Sequence, residues 1–196
     1  MTLEMLIAFG FSITHMPNVD TQFVRMIRAR TEVAATAVYD VTTRGYLKDG
    51  AFSKVEAIFT YDAAGKLLTP EEAAEATQKL VMNIAFHESA YNQKAHRIVD
   101  GSNDCGLMQV KPMWISKFVP GIGGCEAAKE DPKLAIYVGM KTLAFKKAEC
   151  LAKLPPDQQK NAKATFWLGA YASGTCGFAQ VKARELCERA GVCDYK

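Results

Sequence analysis

Glu88 is the residue in this chain whose type and position could do proton chemistry. The apolar residues Ala73, Ala76, Leu80, Val81, Ile84 and Ala85 recur at helical spacing and define one buried stripe. Glu88 lies one turn past Ile84 and two past Val81, so the stripe continues onto a carboxylate, and no basic residue stands one turn before it. Burial without a cation partner raises a carboxylate's pKa and keeps the proton that a general acid must deliver. The same position also suits a glutamate at a frayed helix end that reaches solvent, and periodicity alone does not choose. His87 points about 100° away around the helix and reads as a surface or supporting residue. The string His87-Glu88-Ser89-Ala90-Tyr91 lacks the second histidine of a His-Glu-x-x-His zinc site.

A second stretch could line the same cleft. After Asn92, residues 93–105 read as a polar loop, and Gly106-Leu107-Met108-Gln109-Val110-Lys111-Pro112 follows. Gly106 allows close backbone approach, Gln109 offers a donor and acceptors to a hydroxyl or amide, and Pro112 stops the preceding structure.

The elements that must position these groups are readable in part. Thr69-Pro70-Glu71-Glu72 is a capping box with proline at the first helical position, so a helix starts there. Upstream, Asn18 or Asp20 could cap a helix from about 20 to 40, with Phe23, Ile27, Ala34, Val38 and Val41 at helical spacing. Val55 to Tyr61 followed by Asp62-Ala63-Ala64-Gly65-Lys66 predicts a short hairpin and turn. The chain divides into an N-terminal extension, 1–68, for packing or docking, and a domain over 69–196.

With 196 residues, 49% hydrophobic and 23% charged, the chain can bury an ordinary globular core, and disorder is excluded. The net charge of +3 without a dense Lys/Arg run suits an anionic polymer and excludes nucleic acid as the natural partner. No segment approaches the ~18 apolar residues of a membrane span. Six cysteines, all from Cys105 onward, favour up to three disulfides in an oxidising compartment. Their pairing is open, and buried free thiols are the alternative. The N-terminus carries Glu4 where a signal peptide has basic residues, so either a leader has been removed or export takes another route.

Glu88-Ser89, Tyr91, Asn92 and Ala95, then Gly106-Leu107-Met108-Gln109 and Pro112, together resemble the signature of the soluble lytic transglycosylases of the lysozyme-like superfamily. Asp131-Pro132 with Leu134, Ile136, Gly139, Met140 and Leu143 resembles the helix that follows it. Ala170-Tyr171-Ala172-Ser173-Gly174 is similar to the family's Ala-Tyr-Asn-Ala-Gly motif. The likeness covers about residues 70–190. It implies a mainly α, lysozyme-like α+β fold acting on peptidoglycan, with no metal or cofactor.

The resemblance also implies roles. Glu88 is the acid and then the base that forms a 1,6-anhydromuramoyl end. Tyr171 bonds or orients Glu88, Met108 and Gln109 line the saccharide groove, and Ser89 holds the helix end or an N-acetyl group. The loop before Gly106 is longer than in the commonest members, with Ser102 as a guess at their mid-loop serine. Asp100, six residues before Gly106, makes this spacing similar to goose-type lysozymes, where an aspartate positions water; Lys111 stands where their second acid lies. Hydrolysis through Glu88 and Asp100, or a non-catalytic wall-binding module, are the alternatives. An enzyme with such an added N-terminal piece resembles those of phage particles and of secretion or conjugation machines, to which residues 1–68 could dock. The expected location is periplasmic or otherwise extracytoplasmic.

Overall fold

The computed structural model describes residues 21–48, 51–53, 55–99, 102–178 and 180–196. Helix α1 (Thr21–Arg44) covers the expected N-terminal helix; its proposed caps, Asn18 and Asp20, lie outside the described residues. Phe23 is exposed, and the inward face starts only at Ala34, running through Ala35, Ala37, Val38 and Val41. These small residues let α1 lie close against α2 (Pro70–Ser89) and α5 (Pro132–Leu151).

The hairpin stands elsewhere than expected. Strands β1 (Tyr46–Lys48) and β2 (Ala51–Ser53) pair antiparallel. Residues 55–61 instead send Ile58 and Phe59 into the core. The amides of Thr60 and Tyr61 donate to the carbonyl of Lys196, so this run pairs with the C-terminus. The turn at Asp62–Lys66 does form, closed by the Tyr61–Leu67 bridge. An apolar run with two large side chains gains more from burial than from a two-stranded ribbon with one wet face.

Helix α2 opens as its sequence dictates. Thr69 Oγ1 accepts from the Glu72 amide at 3.2 Å, and Glu72 Oε2 accepts from the Thr69 amide at 2.8 Å. Its buried stripe is Ala73, Ala76, Thr77, Leu80, Val81, Met82, Ile84 and Ala85. It ends at Ala90 and Tyr91, both left-handed with φ of 50° and 59°. That strain is held by burial of the Tyr91 ring beside Phe86, which also pushes the phenol up to about 12.

The stretch expected as a polar loop contains an antiparallel pair, β3 (His96–Val99) and β4 (Ser102–Cys105), in register Arg97 to Asp104. Weak strand formers are held here by cross-strand bonds: Arg97 with Asp104 at 3.0 Å, and His96 with Asn103. Cys105 is also bridged to Cys125. Pro112 ends the loop and opens α3 (Pro112–Phe118), where a missing N–H costs nothing. Then come α4 (Gly124–Glu130), α5, α6 (Pro156–Gln159), α7 (Ala164–Ser173) and α8 (Gln180–Ala190). Asp131 caps α5, accepting from the Lys133 amide at 2.9 Å.

The core centres on Trp167, fully buried, with Phe59 at 5.9 Å. Lys147 lies over it and donates to the Ile58 carbonyl at 2.6 Å; burial pulls its ammonium down to about 8. The six cysteines pair as Cys105–Cys125, Cys150–Cys176 and Cys187–Cys193. Among the described residues, no helix is long and apolar enough to cross a membrane.

Candidate active site

A cleft of about 560 Å³ runs between the end of α2, the β3–β4 hairpin, the 106–111 loop and the α7–α8 region. Glu88, the penultimate residue of α2, lines it with a side chain only 8% exposed. The expectation of a carboxylate without a cation partner is corrected here. Lys182 Nζ, in the first turn of α8, donates to Glu88 Oε1 at 2.8 Å. The partner stands 94 residues away in sequence, beyond the reach of any reading of neighbours along α2.

Ser89 faces the loop. Its hydroxyl lies 2.9 Å from both the Ala85 and Leu107 carbonyls, so it ties the last turn of α2 to the run that starts at Gly106. Gly106 has φ of 72°, and a Cβ there would sit 2.7 Å from the Ala128 carbonyl oxygen; only glycine fits on both counts. Met108 borders the cleft, but its side chain is fully buried against Gly139 of α5, where any Cβ would overlap its sulfur.

Gln109 lines the cleft with a left-handed backbone, φ 46°. Its Nε2 donates to the Gly106 and Ala95 carbonyls at 3.0 and 3.2 Å, which leaves its side-chain oxygen as the atom able to meet a ligand. Tyr171, on α7, borders the same cleft and donates to the Met108 carbonyl at 2.8 Å. Burial, then the negative charges of Glu88 and Asp104, hold its phenol well above the usual range, so it stays a proton donor. The cleft thus brings Glu88, Met108, Gln109 and Tyr171 together. Asp100 lies outside the described residues.

Three cleft groups escaped the sequence reading. Asp104 is 4% exposed, bonded to Arg97 and lines the cleft. It hid inside what read as a loop. Trp114 forms part of the wall, stacked with Phe118 at 5.8 Å, and Lys182 enters from the far end of the chain. His87 is half-buried, with Nε2 enclosed and unpartnered among the described residues.

A helical domain that presents a buried carboxylate to a polar groove, walled by an aromatic and a tyrosine hydroxyl, is the arrangement of a lysozyme-like, glycan-cleaving enzyme. A family model, that of the transglycosylase SLT domain, matches residues 68–186. The chain belongs to this family: it is a peptidoglycan-cleaving enzyme of the lytic transglycosylase type, with a mainly α, lysozyme-like domain. No curated protein and no solved structure matches it.

Proposed function

We propose that the enzyme cuts the β-1,4 bond between N-acetylmuramic acid and N-acetylglucosamine without water, with Glu88 carrying the proton both ways. The burial of the Glu88 carboxylate at the cleft wall carries this reading. Glu88 gives its proton to the glycosidic oxygen as the C1–O bond breaks. The resulting carboxylate takes the proton of the muramoyl 6-hydroxyl as that oxygen bonds to C1, which leaves a 1,6-anhydro end and a restored acid. One carboxyl group suffices because the nucleophile belongs to the substrate.

In this reading Tyr171 holds the Met108 carbonyl and keeps a hydroxyl dipole near Glu88. Gln109 offers its oxygen to a sugar hydroxyl or an N-acetyl N–H, and Ser89 fixes the acid's helix to the groove loop. Asp104 supports a second reading, hydrolysis, because a second buried carboxylate is what inverting or retaining chemistry needs. Asp100 belongs to that same alternative.

The wall substrate and three cysteine pairs fit an extracytoplasmic setting. We place the enzyme in the periplasm or on a virion, opening wall locally for a secretion, conjugation or phage machine contacted through residues 1–68. Clearance of purified wall suspensions tests the activity: wild type clears them, and Glu88→Gln, folded by circular dichroism, does not. Equal clearance by both removes Glu88 from the chemistry.

A further inference from the structure

Glu88 and Lys182 are each at the wrong end of their own helix. Glu88 closes α2, where the helix dipole is negative and disfavours a carboxylate. Lys182 sits in the first turn of α8, where the dipole is positive and disfavours an ammonium; that turn holds no acidic residue. Helix stability alone selects neither charge. The two helices pack against each other, and the Asn83 amide donates to the Leu186 carbonyl at 3.2 Å beside the contact. The misplaced charges meet there at 2.8 Å.

The approach of α8 is fixed by covalent and close packing. Cys176, bridged to Cys150 at the end of α5, anchors the segment between α7 and α8. Gly169 of α7 has no Cβ because the Phe178 carbonyl occupies that space. Lys182 therefore reaches Glu88 from a held backbone, while its side chain remains 40% exposed and so borders solvent.

We propose that Lys182 is a positioning residue for the acid: its ammonium occupies Oε1 of Glu88 in the empty cleft, and a seated saccharide must displace it before that oxygen can exchange a proton with the glycosidic bond. This rests on the reading of Glu88 as the acid. An ammonium at hydrogen-bond distance fills the acceptor direction of Oε1, the same direction along which a proton would pass to a glycosidic oxygen. Other groups also act on Glu88. Tyr171 on α7, Asp104 with Arg97 on the hairpin, and Lys111 and Lys146 on the far wall line the same cleft, while His87 adjoins it on α2. Among them only Lys182 makes a direct bond to the carboxylate.

The test compares wild type, Lys182→Met and Lys182→Arg by two readouts. One is the carboxyl carbon-13 titration of Glu88, assigned against Glu88→Gln. The other is the pH profile of cleavage on soluble glycan strands. In Lys182→Met, which removes the bonded ammonium, the titration midpoint is expected to move up, with Lys182→Arg staying near wild type. The alkaline limb of kcat/KM should move up with it, about tenfold in activity per unit. The limb of kcat should move less, because the seated saccharide has already displaced the ammonium. An active enzyme whose titration and profile are the same in wild type and Lys182→Met overturns the inference and leaves the acid role standing. A wild type that cuts no glycan at any pH overturns both.

Discussion

The hydroxyl of Tyr171 donates to the main-chain carbonyl of Met108 at 2.8 Å, joining α7 to the loop that carries Gln109. The loop needs this tie, since Gln109 is held left-handed, a conformation that costs about 1 kcal/mol or more. Tyr171→Phe leaves the carbonyl without its donor. Unfolding by urea is expected to show a loss of about 1–3 kcal/mol. Wall clearance should fall by at least about tenfold as the groove loosens. Unchanged stability and activity together would show that the bond carries neither.

Gly139 and Met108 form the other support of this loop. A methyl group at Gly139 meets the Met108 side chain, which is fully buried and has no open direction to leave by. Gly139→Ala is expected to cost about 1–3 kcal/mol and to reduce clearance, the strain passing directly to the groove. The pair Gly139→Ala with Met108→Ala should recover part of the stability; simple additivity of the two losses would contradict the contact.

The Cys150–Cys176 bridge spans 26 residues and anchors the approach to α8. Replacing both cysteines with alanine is expected to lower stability by about 3 kcal/mol. Lys182 then loses its fixed approach to Glu88, so in the folded variant at low temperature the alkaline limb of kcat/KM should move up, as in Lys182→Met. A variant that is less stable but keeps the wild-type pH profile would separate the bridge from the site.

His87 sets one pH dependence of the fold. Burial first, then Arg189, holds its imidazole below the ordinary value. The unfolded chain takes up a proton at the ordinary value, the folded one only at lower pH. Its contribution is therefore complete above the ordinary imidazole range and declines as pH falls through that range toward the folded value. The urea midpoint should drop between about pH 7.5 and about pH 5.5, and His87→Gln should shrink that drop. An identical drop in the variant would assign it to other groups.

Much of this was legible in the sequence where the determinants are local. The Thr69–Glu72 capping box, the stripe leading to Glu88 and the Asp131 cap each act within a turn of helix, and the structure has all three. Long-range partners were not legible. Lys182 lies on an element with no motif, and its value appears only when α8 packs against α2. The β3–β4 pair was hidden because Ser102, Asn103 and Asp104 are poor strand formers. Yet the Asp100-Gly101 dipeptide between strands is a two-residue hairpin signal, and it was the available clue. Residues 55–61 read as a strand because burial of Ile58 and Phe59 by the core imitates the pattern of burial by a sheet.

The central claim is that Glu88 delivers a proton and then recovers one from the sugar. Mass analysis of the reducing ends of soluble fragments from purified peptidoglycan tests it most directly. Wild type is expected to release 1,6-anhydromuramoyl ends, and Glu88→Gln none above background. Fragments ending in water-added, reducible muramic acid from wild type would contradict the claim and assign the attacking oxygen to water in a cleft that also holds Asp104.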